Sequence, residues 1–137
     1  MNPKVRTILA VVAGIVVGGI VISAVEMFSP HQPPADLDFN DKDKVAEWIR
    51  SLPSSAFTIA LLACFLGAVA AGWLANTIAG AHRPALVAGF GLFVAGVFNL
   101  IAIPHPVWFA IVSSLLYFAG AWAGGRMVQK TIQKRSR

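Results

Sequence analysis

Two turns in this chain carry the same unusual pair of residues. Ser29-Pro30-His31-Gln32-Pro33 and Ile103-Pro104-His105-Pro106 each set an imidazole directly after a proline, at the end of a long apolar stretch. Glu26 stands four residues before the first of these prolines, and Asn99 stands five before the second. If the two hairpins pair, Glu26, His31, Asn99 and His105 meet at one mouth of the protein. A carboxylate beside an imidazole can pass a proton or hold a cation. It can also lock two hairpins together through a hydrogen bond, or meet a partner or a lipid headgroup. Two histidines and a glutamate are able to ligate a divalent metal, but no recognised ligand spacing joins them, so neither metal nor cofactor is expected.

Catalysis has no support in the remaining residues. There is no nucleophile–base pattern and no glycine loop of nucleotide-binding type. Asp36, Asp38, Asp41 and Asp43 form an acidic run without calcium-loop spacing. The single cysteine, Cys64, can form neither an internal disulfide nor a two-thiol redox motif, and reads as a small packing residue. The chain is therefore expected to be non-enzymatic.

The elements that must position these groups are membrane spans. Of the 137 residues, 57 % are hydrophobic and only 12 % charged, about half the charge of a soluble protein. Ile8–Val25, Ala56–Ala75, Ala85–Ile103 and Val107–Gly125 hold no charge, and each approaches the roughly 20 residues that a spanning helix needs. The expected fold is an all-α integral membrane protein with four transmembrane helices in a bundle. Its spans lie near 7–28, 55–78, 85–103 and 107–127, within a single membrane domain covering 1–137. The first stretch reads as a retained span, since its apolar run is long for a signal peptide and Ile22-Ser23-Ala24 is a poor cleavage site.

Segment 29–54 is expected to carry a short amphipathic helix over Asp41–Leu52, capped by Asn40 and either lying in the membrane interface or capping the bundle. Val45, Trp48, Ile49 and Leu52 form its apolar stripe. Ser54 or Ser55 would cap the second span, and His82 would face solvent in the turn between the second and third. Residues 128–137 read as a basic tail.

Small residues mark the packing faces. Gly14 and Gly18 form one GxxxG pair and Gly120 and Gly124 another, while Ala68, Gly72, Asn76 and Gly80 recur every four residues. Gly67-Ala-Val-Ala-Ala-Gly72 matches Gly120-Ala-Trp-Ala-Gly-Gly125. With the Pro-His turns, this describes two tandem hairpins and a pseudo-twofold axis along the membrane normal. Such stripes on every span imply self-association or docking to a larger membrane complex.

Four spans place both termini on one side, with Lys4, Arg6, Arg83, Arg126, Lys130, Lys134, Arg135 and Arg137. Only Lys42, Lys44 and Arg50 fall on the other. The positive-inside rule makes the first side cytoplasmic and the Pro-His turns outer. The net charge of +5 is thus a topology signal spread along one membrane face, and no nucleic-acid partner is expected.

Four short spans with a glutamate in the first resemble, in architecture alone, the small multidrug-resistance transporters. In that family the glutamate lies near mid-membrane between short loops. Here Glu26 is near the outer end and a loop with its own helix follows, so no function is carried over. The chain also looks like small four-span proteins of bacterial inner membranes, the expected location. The leading functional expectation is a scaffold, accessory subunit or homo-oligomer acting by helix association. The alternative is a small transporter or channel for a proton, cation or small molecule, using Glu26.

Overall fold

In the computed structural model, which describes residues 1–137, the chain is entirely helical: α1 (Pro3–Met27), α2 (Lys42–Ser51), α3 (Ser54–Ala79), α4 (His82–Ala102) and α5 (Val107–Arg135). Helices α1, α3, α4 and α5 are long and apolar enough to cross a membrane, and the protein is an integral membrane protein. Both termini lie at one end of the bundle and both Pro-His turns at the other.

Local chemistry sets the helix ends. Asn2 accepts the Lys4 amide at 2.9 Å and Pro3 occupies the first turn, so α1 starts four residues before the charge-based boundary at 7. At its far end, the Glu26 carbonyl accepts the Ser29 amide (3.0 Å) and the Gln32 side-chain amide (2.8 Å), which also donates to the Ser29 carbonyl (3.0 Å). Helix α2 is capped by Asp41, which accepts the Lys44 amide at 3.2 Å, and not by Asn40. The Asn40 side chain instead donates to Asp38 (3.1 Å), one residue too early to reach the helix. Neither Ser54 nor Ser55 caps α3, whose N-cap position is Pro53.

Helix α3 stops at Gly80, the one residue with positive φ (72°), whose amide returns to the Asn76 carbonyl at 2.7 Å. Only glycine adopts this conformation without strain. Helix α4 then begins at His82, three residues before the expected start of 85, because Pro84 is tolerated in a first turn. The segment expected as a basic tail is helix to Arg135. Nothing in it breaks the helix, and Lys134 and Arg135 suit the negative end of the dipole.

Helix α3 is the hub. It packs against α1, α4 and α5, whereas α1 and α5 do not meet. The reason is that α3 carries small residues on two faces. Toward α1, a methyl group on Gly18 would stand 2.8 Å from the Gly67 carbonyl oxygen, and one on Gly14 would stand 2.7 Å from that of Ala71. Toward α5, a methyl on Gly120 would stand 2.7 Å from the Phe65 carbonyl and 2.8 Å from the Ala68 side chain. Gly72 abuts the Ala121 backbone, and Gly124 abuts that of Val69. The two matching runs, 67–72 and 120–125, thus lie against each other between the parallel helices α3 and α5. A strict twofold would bring α1 to α5 as α4 is brought to α3, so the helix pairing is asymmetric.

The packing is inverted relative to a soluble protein. Ala63, Ala68, Ala71, Ala75, Ala85, Ala88 and Ala121 are fully buried, while Ile8, Ile20, Phe98, Ile101 and Leu115 face outward. Lipid tails are as apolar as leucine, so large side chains gain nothing by turning inward, and close backbone contact drives association. Helix α2 is seated across the Pro-His end by Val45 and Ile49, which pack with Phe57 and Phe109.

Two adjacent glycines should therefore respond oppositely to the same substitution. Gly18→Leu forces side-chain atoms into the α3 backbone and should cost about 1–3 kcal/mol. A Cβ at Gly19 would meet no atom within 4 Å, and Gly19→Leu should leave stability unchanged. Thermal unfolding of the two variants in detergent micelles distinguishes them.

Candidate binding site at the Pro-His end

Glu26, His31, Asn99 and His105 come from the last turn of α1, the following loop, the last turn of α4 and the α4–α5 turn. All four line one cavity of about 210 Å³. Glu26, Asn99 and His105 also line a second cavity of about 300 Å³, which reaches deeper, to Cys64, Ser113 and Tyr117. The two cavities share Glu26, Asn99, His105 and Phe109 as a common wall.

The four side chains are held differently. The Glu26 carboxylate makes no hydrogen bond or ion pair within the chain; its backbone carbonyl accepts the Ser29 amide and the Gln32 side chain. Asn99 likewise engages only its backbone carbonyl, which accepts the Ile103 amide at 2.9 Å. His31 is tethered: its Nε2 lies 3.1 Å from the Ser55 hydroxyl, tying the loop to the start of α3. His105 is held by two contacts. Its ring stacks on Phe109, with centroids 5.0 Å apart and planes 14° from parallel, and its Nδ1 lies 2.7 Å from the Ile103 carbonyl. A carbonyl oxygen only accepts, so Nδ1 carries the proton. In the neutral ring Nε2 is therefore a free acceptor. Burial of the ring holds the His105 pKa below its ordinary value and favours that neutral form.

Deeper groups are committed to the protein itself. The Cys64 thiol donates to the Tyr117 hydroxyl at 3.3 Å, and Gly96 leaves the space that the Tyr117 ring occupies. Ser113 and Ser114 both donate to the Ala110 carbonyl, at 3.2 and 2.7 Å. Beyond Tyr117 and Leu92 the space closes on Ala68, Ala71, Ala75 and Ala88. The arrangement is a blind cleft with acceptors at its mouth and apolar walls below. No group of three metal-ligating side chains forms in it.

Sequence reasoning did not foresee three features. Gln32 is the cap of α1, a role without a sequence signature at that distance. Tyr117 reaches Cys64, which only the pairing of α3 with α5 reveals. His82 does not face solvent: both ring nitrogens are enclosed without a hydrogen-bond partner, against the space left by Gly125. Beside it, Asn76 is 1 % exposed and donates to the Gly125 carbonyl at 2.7 Å, which makes a second polar knot near the termini.

In comparisons with protein-family models, curated proteins and solved structures, nothing matches this chain. The class is therefore defined by the fold and the cleft: a four-span integral membrane protein with a blind polar-mouthed cavity.

The His105 imidazole should titrate below 6.5, its ordinary value, when followed by NMR in micelles. Its folded pKa is depressed, so the unfolded chain takes up protons first. Stability should fall as pH drops from about 6.5 toward the folded pKa. Phe109→Ala, which uncovers the ring, should return the titration toward the ordinary value.

Proposed function

We propose that this is a small, non-enzymatic membrane protein that binds a small cationic, hydrogen-bond-donating ligand in its outer cleft at Glu26. The observation that carries this reading is the Glu26 carboxylate itself. It lies in the shared wall of two cavities and has no partner within the chain. A carboxylate placed in a membrane span is costly unless paired, protonated or hydrated, and a bound cation would supply the missing partner. The unengaged side chain of Asn99 and Nε2 of His105 add acceptors on the same wall. The cation-rich end is cytoplasmic in this reading, so the cleft opens outward, in keeping with a bacterial inner-membrane protein.

Scaffolding by helix association, the leading expectation from sequence, is the second reading. Gly14, Gly18, Gly72, Gly120 and Gly124 are all engaged inside the chain, and Ala68 packs against Gly120, so a partner in that reading would dock on other surfaces. Transport is a natural extension of binding, but it requires the alanine layer below Tyr117 to part.

The test uses protein in phosphatidylcholine nanodiscs, with the Glu26 side-chain carboxyl followed by carbon NMR during titration with butylammonium. A saturable shift is expected, and Glu26→Gln should keep the wild-type melting temperature. Should Glu26→Gln lower that temperature by several degrees while wild-type protein shows no shift, Glu26 is a structural clasp and the binding reading fails.

A further inference from the structure

The deeper cavity is bounded mainly by two helices that part company. Helix α1 supplies Gly19, Ile22, Ser23 and Glu26 to its lining, and α4 supplies Leu92, Ala95, Gly96 and Asn99. These helices are in close contact nearer the termini, through Gly14 with Ala88, Ile15 with Gly91 and Gly18 with Leu92. One residue further along, Gly19 faces open space, with nothing within 4 Å. From there to the Pro-His turns, Ser23, Glu26, Ala95 and Asn99 are exposed at the surface as well as lining the cavity. The cleft is thus open sideways, where lipid would stand, as well as toward the mouth.

Its polarity runs in one direction. Unengaged acceptors occupy the Pro-His end, with Glu26, Asn99 and His105; the depth is lined by Gly19, Ile22, Leu92 and Ala95 together with Ser23 and with Cys64, Ser113 and Tyr117, whose polar atoms are bonded within the chain. An amphiphile in the adjacent membrane leaflet has the same order, head at the surface and tail toward the centre. The head chemistry is also specified. A carboxylate, an amide oxygen and an imidazole Nε2 are three acceptors, which match the three N–H donors of a primary ammonium. A quaternary ammonium has no donor to offer them.

Resting on the reading of Glu26 as a ligand-binding carboxylate, we propose that the ligand is a primary-amine amphiphile of the outer leaflet. It enters sideways between α1 and α4, sets its ammonium among Glu26, Asn99 and His105, and lays its tail over Gly19 toward Leu92.

Four probes of binding to protein in phosphatidylcholine nanodiscs, each corrected against empty nanodiscs, separate the parts of this proposal. Dodecylammonium should bind saturably. Butylammonium, with the same head and no comparable tail, and dodecyltrimethylammonium, with the tail and no donor, should each bind about tenfold more weakly or worse. Gly19→Leu projects into the open space, starting from a Cβ position that meets no atom within 4 Å. It should weaken dodecylammonium by about tenfold while leaving butylammonium and the melting temperature unchanged. If butylammonium binds as tightly as dodecylammonium, or Gly19→Leu changes nothing, the ligand comes from water and the lateral route is wrong. If dodecyltrimethylammonium binds equally well, the three-acceptor head site is wrong. If Glu26→Gln binds dodecylammonium like the wild type, the underlying assignment of Glu26 fails with it.

Discussion

Everything in this protein depends on how closely α3 can approach its neighbours. In a membrane, the hydrophobic effect does not draw one helix to another, because lipid is already apolar. Association needs dispersion contacts between backbones, and these fall off steeply with distance. Residues without bulk are therefore the cohesive ones. Gly14 and Gly18 of α1 meet Ala71 and Gly67 of α3, while Gly120 and Gly124 of α5 meet Ala68 and Val69 on its adjoining face. With small residues on two faces, α3 becomes the hub, and α1 and α5 are held apart on either side of it.

The same contacts delimit the cleft, which opens where α1 and α4 no longer touch. Where glycine meets alanine the helices are in contact and the interior is sealed, as at Ala71, Ala75 and Ala88. Toward the Pro-His end these close contacts stop, Gly19 meets nothing within 4 Å, and space opens beside Glu26, Asn99 and His105. Helix α2 covers part of this end through Val45 and Ile49, whose partners Phe57 and Phe109 also wall the cavities. The prolines of the two turns stop the helices at the level where the acceptors sit, so one feature of the sequence ends the spans and furnishes the mouth. The same region is the least self-satisfied part of the molecule. The carboxylate of Glu26 has no internal partner, whereas Cys64, Tyr117, Ser113 and Ser114 below it do.

The four spans, the interfacial helix and the small-residue faces were legible from residue order alone. A run without charge, a stripe at helical spacing and a glycine every fourth residue are one-dimensional patterns with one physical meaning each in lipid. The helix ends were less legible. Asp41 displaced Asn40 as a cap because Asn40 is already engaged by Asp38, and α4 absorbed Pro84 because a first turn needs no amide there. In each case two local options were equally allowed by sequence, and the choice fell to a neighbouring hydrogen bond or turn.

The sequence by itself determined that this chain has four stretches able to span a membrane and that Glu26, His31, Asn99 and His105 stand at the same ends of them. Charge exclusion and proline placement are properties of residue type that hold whatever the packing. Only the tertiary structure decided that the small-residue stripes would be consumed within the chain, that His82 would turn inward against Gly125, and that Glu26 would line a cavity unpartnered. Those outcomes depend on which helix faces which. That choice is set by the summed fit of many close contacts, which no stretch of the sequence contains alone.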